Sequence, residues 1–531
     1  MDIKTLSNQF EQLKSKRLNW ESHWQEIADY VLPRRADVNV TRSSGDKRTE
    51  QIFDGTALHS AELLSSSLHG MLTNAAMPWF SMRFKDETIA MDEESREWLE
   101  SCTNTMYVAL DRSNFQQEIH ELYVDLCTFG TACMMIEEDE FKFLRFSTRH
   151  IKEIYISEND KGYVDTVHRE FKMTARAAYQ RFGDKLSKRI LNIVEKKPYE
   201  EVKINQCVKP NDQLNPYKMD NKSMPFVSIY YDHEDKKIIS ISGFNEFPFV
   251  VPRWLKSSGS DGGYGRSPSM TALPDIKMIN KMAETTIKAA QKMVDPPLLV
   301  PDDSFVLPVR TQPGGLNYYR SGTRDRIEPL QIGANTPVGL NIEEQRRNAI
   351  RQAYFVDQLL LSQDVKMTAT EVMERNQESM RLLAPVLARL QSEMLQPLIN
   401  RTFNILLRKQ LLPEPPLALQ GRTIDIEYVS PLARSQRTGD VQAIMRSLEI
   451  LGPLAQMMPV FDYLDSDKLV KHITDVLGVP RKVLRSDQEV ANIRQQQAEM
   501  AQQQAELQET QQVAEAGGKV APLLKELNNA R

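Results

Sequence analysis

Residues 268–294 read PSMTALPDIKMINKMAETTIKAAQKMV, and the reading of this stretch decides the fold. Its lysines, Lys277, Lys281, Lys288 and Lys292, recur at helical spacing. At roughly 100° per residue they fall within about 60° of one another on a wheel. Ile279, Ala283, Thr286, Ile287, Ala290 and Val294 lie opposite. The stretch is therefore an amphipathic helix with one cationic face. The helix is expected from about Pro268 to Val294, with Pro274 near the start as an alternative beginning of its regular part. Asp295-Pro296-Pro297 then stops it, because proline lacks the N–H that would continue the ladder. From Leu298 to about Ile332 the chain carries Pro, Gly and short apolar runs, and a second helical pattern runs from Asn341 to Leu361. A helix, a compact β-rich insert and a returning helix build a thin projection from a larger body. That geometry suits a structural or conduit part better than a catalytic pocket.

Upstream, residues 4–32 have helical periodicity through Leu6, Phe10, Leu13, Leu18, Trp24, Ile27 and Val31, ended by Pro33. Residues 34–50 are polar and read as a loop. A second helix over 55–74 opens on Asp54-Gly55-Thr56, Ser81 to Phe84 is a short strand, and 92–113 and 114–129 are again helical. Between Cys133 and Val250 the pattern turns to strands, at 133–136, 141–144, 151–155, 164–168 and 227–231, with a short helix over 174–182. Downstream, 370–410 is one long helical pattern containing Pro385 and Pro397, which are expected to kink it. A strand follows at 421–428, then two or three helices over 438–476, and a Gln-rich helical tail from about Asp487 to Val513. The fold class is α+β, mainly helical.

Composition narrows the function. The net charge of −5 over 531 residues excludes a globally basic nucleic-acid coat, so any contact with DNA is expected through local patches or rings. Four cysteines, Cys102, Cys127, Cys133 and Cys207, form no C-x-x-C pair, so neither a disulfide scaffold nor a zinc site is expected. Met1-Asp2-Ile3-Lys4 lacks the apolar core of a signal peptide. No run of about 18 apolar residues suggests a membrane span. A reducing cytoplasm is the expected folding compartment.

Catalytic signatures are missing from the sequence. It contains no P-loop, no G-x-S-x-G elbow and no H-E-x-x-H helix. Gly259-Ser260-Asp261-Gly262-Gly263-Tyr264-Gly265 is glycine-rich but reads as a flexible hinge entering the 268–294 helix. Glu137-Glu138-Asp139-Glu140 reads as a solvated turn. No catalytic, cofactor or metal residues are expected. The lysine stripe reads either as a solvated helix face or as a charge row toward a polyanion, with Arg346, Arg347 and Arg351 added by the second helix and offset by Glu343 and Glu344. Residues 362–371, SQDVKMTATE, read as an inter-helix loop, or functionally as a mobile loop touching whatever passes. A metal-dependent nuclease would need convergent carboxylates, which the spacing does not supply. A tail or scaffold component without a DNA channel remains the alternative.

Four segments resemble the portal proteins, the head-to-tail connectors of short-tailed, T7-like phages. They are Phe53-Asp54-Gly55-Thr56-Ala57-Leu58 through Pro78-Trp79-Phe80, then Tyr264-Gly265-Arg266-Ser267-Pro268, then Met367-Thr368-Ala369-Thr370-Glu371-Val372 with Leu395-Gln396-Pro397-Leu398, and finally Ser430-Pro431-Leu432-Ala433-Arg434. The likeness covers roughly residues 5–480 and lies in the order and spacing of the segments. It implies a wing (1–266 and 370–437), a stem of two helices (267–294 and 341–361), a clip (295–340), a channel loop (362–369) and a helical crown (438–531).

The resemblance further implies a ring, usually of twelve subunits, at one capsid vertex around a channel for double-stranded DNA. Partners implied are the major capsid protein and scaffold, the terminase large subunit, and tail adaptor or nozzle proteins, with assembly in the host cytoplasm and residence in the virion. Hydrolysis would belong to the terminase. Candidate DNA-channel residues are Lys277, Lys281, Lys288, Lys292, Arg346, Arg347, Arg351 and Lys366. The channel loop carries Gln363, Asp364, Val365, Lys366 and Met367, and Phe305, Leu316, Tyr318 and Tyr319 are candidate partner contacts in the clip, or else its own subunit interface.

Overall fold

The computed structural model describes residues 3–43, 45–76, 78–84, 93–212, 223–256, 263–300, 309–310, 316–318, 322, 327–329, 336–359, 382–419, 426–429, 441, 443–451, 464–477, 485, 489–500 and 502. The chain divides into two units, Met1–Pro431 and Leu432–Arg531.

In the first unit, α1 (Ile3–Val31) buries Leu6, Phe10, Trp24, Ile27 and Val31 along one stripe. α2 (Thr56–Leu72) begins where the Asp54 carboxylate accepts from the Thr56 amide at 2.9 Å. β1 (Ser81–Phe84) precedes α3 (Glu93–Arg112) and α4 (Phe115–Phe129). β1 finds its partner far along the chain, pairing antiparallel with β12 (Ile426–Val429) in the register Ser81↔Val429 to Phe84↔Ile426. The N-terminal part of the chain and the strand at 426–429 thus belong to one unit.

β2 (Cys133–Asp139), β3 (Phe143–Arg149) and β9 (Phe249–Val250) form a three-stranded sheet in the order β3-β2-β9. A five-stranded antiparallel sheet holds β4 (Ile154–Glu158), β5 (Val164–Thr174), β6 (Glu201–Pro210), β7 (Phe226–Asp232) and β8 (Lys237–Phe244) in sequence order. α5 (Ala175–Phe182) and α6 (Lys188–Lys196) pack on one face, against Phe171, Val202, Ile204, Tyr230 and Ile239. The other face puts Cys207, Ile229 and Tyr231 against Leu6 of α1. The alternation of strand side chains explains the split: Val202 and Ile204 share one face of β6 and Cys207 takes the other.

Several sequence expectations shift. The strand expected at 141–144 starts at Phe143, because the Asp139 carboxylate accepts from the amides of Phe141 and Lys142 and folds them into a turn. Phe141 at that tip is 90% exposed. The strand expected at 151–155 begins at Ile154, after a single 3-10 turn over Ile151–Glu153. β6, β8 and α6 were not anticipated.

α7 spans Pro268–Val294, the expected bounds, and its regular part begins at Pro268 with Pro274 inside it. Ser267 caps it, its Oγ accepting from the Met270 amide at 3.1 Å. Pro268 occupies the first helical position, where its missing N–H costs nothing. Pro274 gives up one bond without interrupting the helix. Leu273, Ile276 and Ile279 are buried, each contributing roughly 2 kcal/mol, and Ile276→Asp would break this face. The returning helix runs over α8 (Thr336–Ala353) and, after an interruption, α9 (Val356–Leu359). It therefore starts earlier than expected and is broken at Tyr354-Phe355.

Helix over 382–390 continues through a π turn, Gln391–Leu395, into α10 (Gln396–Arg408). The Gln396 amide donates to the Gln391 carbonyl. Pro397 has no N–H to offer the preceding carbonyls, and the wider turn accommodates that loss. Residues 370–381 lie outside the described residues.

The second unit has helix over 443–451, α11 (Ser466–Leu477) and helix over 489–500. Arg494 of the last donates to the Asp467 carboxylate at 2.7 Å.

Candidate nucleic-acid interface

α7 and α8 pack against each other, and their contacts give the direction. Ser269 meets Tyr354, Asp275 meets Arg346 and Thr286 meets Glu343. Positions rise on one helix as they fall on the other, so the pair is antiparallel. Past α7, β10 (Leu298–Leu299) pairs with β11 (Glu328–Pro329) in the register Leu298↔Pro329 and Leu299↔Glu328. The chain between the two helices is thus drawn together at its base. The base and the far end of α7 carry exposed apolar residues: Met293, Val294 (87% exposed), Leu298, Leu299 and Val300.

The root of the pair is fixed by a close backbone crossing. Gly130 sits at φ +76°, and a Cβ there would lie 2.5 Å from the Gly265 carbonyl oxygen. A Cβ on Gly265 would lie 2.3 Å from the Gly130 carbonyl oxygen. Only glycines allow this approach. The Gly265 amide donates to Thr131 Oγ1 at 2.7 Å, and the Ser267 hydroxyl to the Thr128 carbonyl at 2.8 Å. The described end of the glycine cluster, expected as a flexible hinge, is therefore pinned to the end of α4.

The four lysines of α7 are all exposed, Lys281 at 76%. Their charge is partly answered. Lys277 Nζ lies 3.3 Å from Glu26, while Lys281 and Lys288 share Glu284 at 3.0 and 2.5 Å. Hydrogen bonds from Lys288 and then Lys281 hold the Glu284 carboxyl below its usual range. Lys292 lies one turn beyond. Four lysines against two carboxylates leave the face cationic.

The arginines of α8 are placed differently. Arg346 donates to Asp275 at 2.8 Å. Arg347 reaches Asp54 at 2.9 Å and Glu343 at 3.2 Å, and Arg351 reaches Glu344 at 3.0 Å. Burial opposes the charged form of Asp54, yet hydrogen bonds from Thr56 and Arg347 hold its carboxyl below the usual range. Asn280 of α7 completes the junction, its Oδ1 accepting from the amides of Phe53 at 2.8 Å and Asp54 at 3.1 Å. The Phe53-Asp54-Gly55 segment is thereby docked on both helices. In the sequence Asp54 reads only as a helix opening and the now buried Glu343 only as a local offset to the arginines, and Asn280 was not singled out. The one signal was Asn280, a polar residue between the buried Ile279 and Ala283.

In the insert, Leu316 and Tyr318 are each 70% exposed. Asn317 between them clasps Arg310, accepting from its amide at 2.6 Å and donating to its carbonyl at 2.8 Å. Phe305, Tyr319, Gln363, Asp364, Val365, Lys366 and Met367 lie outside the described residues. No group of three or more metal-ligating side chains occurs among the described residues. No helix among them is long and apolar enough to cross a membrane.

Comparison with known proteins places the chain among phage connectors. Residues 3–484 match the family model of the bacteriophage head to tail connecting protein. The portal protein of Salmonella phage epsilon15 is 33% identical over 505 residues, 92% of this chain and 90% of that protein. The probable portal protein of Bordetella phage BPP-1 is 29% identical over 544 aligned positions, 99% of this chain and 97% of its own. Among solved structures, a chain from the virion of a native gene transfer agent particle overlays 86% of this chain and 99% of its own, at a TM-score of 0.36 and 11% identity. An overlay that loose carries no argument.

Proposed function

The chain belongs to the family of bacteriophage head to tail connecting proteins and has the role of a portal protein, and from that premise we propose that its subunits close into a ring, of twelve copies, at one vertex of the capsid. Double-stranded DNA passes through the ring's channel in packaging and ejection. The antiparallel α7–α8 pair is the stem, and the insert closed by β10 and β11 is the clip. The chain catalyses nothing itself; the packaging ATPase is the terminase, which docks before the tail adaptor proteins do. Capsid protein and scaffold surround the ring during assembly, and the finished protein resides in the virion.

The observation that carries this reading is the cationic face of α7. It lies on a paired helix leading to an insert with exposed apolar residues. In a ring, each lysine recurs once per subunit and becomes a belt. Such belts attract a polyanion without gripping it, as a channel for moving DNA requires. Arg346 ties α8 to α7, Arg347 ties it to Asp54, and Arg351 is engaged by Glu344 within α8, so we assign DNA contact to the lysines. The exposed apolar residues at the end of α7 and the base of the insert suit a neighbouring subunit.

Negative-stain electron microscopy with native mass tests the ring. The expected result is a particle with a central hole and a mass near twelve times 61.0 kDa. Filaments, or a closed particle without a hole, would overturn it in favour of a tail or scaffold component.

A further inference from the structure

We propose that Tyr354-Phe355 is a two-position joint, held bent by an anchor on each side, which straightens into one continuous helix when either anchor lets go. The inference does not depend on the ring.

Phe355 has φ +59°, in the left-handed region that a bulky side chain rarely adopts. No glycine or asparagine relieves it. Such a conformation persists only where the surroundings over-determine it. On the α8 side the anchor is a buried relay. The Tyr354 hydroxyl donates to Ser269 Oγ at 2.8 Å, and the Ser269 hydroxyl donates to the Cys127 carbonyl at 2.9 Å. Tyr354, Ser269 and Cys127 are all fully buried. The end of α8 is thereby tied to the first turn of α7 and the last turn of α4. On the other side, Val356 is buried and α9 packs on α2.

Phe355 is the single residue between these two fixed points. The Gln358 and Leu359 amides already bond to the Phe355 carbonyl at 3.1 Å each. Helical pairing thus resumes immediately after the joint. Moving Phe355 from the left-handed to the right-handed region would merge α8 and α9 and redirect the chain beyond Leu359. The strain at Phe355 favours that move, and the two anchors oppose it. Weakening an anchor therefore shifts the balance toward the straight form, and removing the strain shifts it back.

Spin labels on cysteines placed at Gln345 and Asp357, both exposed, read the joint directly. The native cysteines are buried and will not compete for label. Dilution with unlabelled chains keeps the distance within one subunit. A continuous helix separates these positions by about 18 Å. The bent wild type is expected to give one distance distinct from that value. Tyr354→Phe, which keeps the ring and loses the bond, and Val356→Ala, which loosens the α2 side, should each bring at least a tenth of the molecules to the straight distance. Adding Phe355→Gly to either should abolish that population, because glycine carries no left-handed penalty. One unchanged distance in the wild type and both anchor variants would overturn the proposal. So would a straight population that Phe355→Gly leaves in place.

Discussion

Arg253 and Glu393, 140 residues apart in sequence, form the ion pair on which three segments of the first unit converge. The guanidinium is 1% exposed. It donates to Glu393 through Nε at 3.0 Å and Nη2 at 2.7 Å, to the Gly162 carbonyl at 2.9 Å and to the Gly263 carbonyl at 3.1 Å, and it also pairs with Glu158. The edge of the five-stranded sheet, the approach to α7 and the π turn of the long helix are thus held by one side chain. Glu393 lies inside that π turn, so the turn imposed by Pro397 also aims the carboxylate.

Removing Glu393 leaves a buried guanidinium with one of its two carboxylates. Glu393→Ala should cost about 3 kcal/mol, in the range for breaking a buried pair. Asp467→Ala, which breaks the exposed, solvent-screened pair with Arg494, should cost far less. Urea denaturation of both variants checks the contrast, and equal losses would refute the role given to Arg253.

The glycines separate in the same way. At Gly130 or Gly265 an added methyl meets backbone atoms that cannot step aside. Alanine at either position should cost about 3 kcal/mol or more. Gly70 is exposed inside α2, with nothing within 4 Å of a new Cβ. Gly70→Ala should instead stabilise by about 1 kcal/mol. Thermal unfolding midpoints should therefore fall for the first two variants and rise for the third.

How far the sequence could be read follows from where its signals are local. α7 was legible because its period and its stopping prolines are local signals. β6 was not. Its alternation of Val202 and Ile204 dissolves into Asn205, Gln206, Cys207 and Val208, all buried, because the strand is covered on both faces. The lysine face was visible as a pattern, but the commitments of Arg346 and Arg347 were not, since Asp275 and Asp54 lie 71 and 293 residues away. Arg17, Arg253 and Arg401 look like surface residues in the sequence. Folded, they are buried and bond to carbonyls of Ile151, Gly263 and Ile136.

The division of labour between lysines and arginines can be measured. Non-specific binding of duplex DNA to the purified protein should weaken linearly in log affinity against log salt. Lys288→Gln or Lys292→Gln should lower the slope by about one for each phosphate that is no longer neutralised. Arg347→Gln should leave the slope unchanged and cost about 2 kcal/mol of stability, since it breaks partly buried bonds to Asp54 and Glu343. An unchanged slope in the lysine variants, with a reduced one in Arg347→Gln, would reverse the assignment.

His168 gives the first unit a sensitivity to acid. The ring is fully buried in β5, with Nε2 3.4 Å from Cys207 Sγ and Nδ1 3.5 Å from the Tyr231 hydroxyl oxygen. Burial, aided by Lys209, pushes its pKa from 6.5 down to about 4. The folded protein therefore holds this imidazole neutral while the unfolded chain protonates it. The stability it protects is complete above pH 6.5 and is lost as the pH falls through 4. At pH 5 the loss relative to neutrality should be about 2 kcal/mol. His150, also pushed down to about 4 by burial, adds a loss of the same sign. His168→Met should lower stability at pH 7 yet remove about half of the further drop between pH 7 and pH 5 that these two rings produce. Urea midpoints of wild type, His168→Met and His150→Gln at the two pH values measure this. A drop undiminished in His168→Met would mean that the ring is already charged in the folded protein.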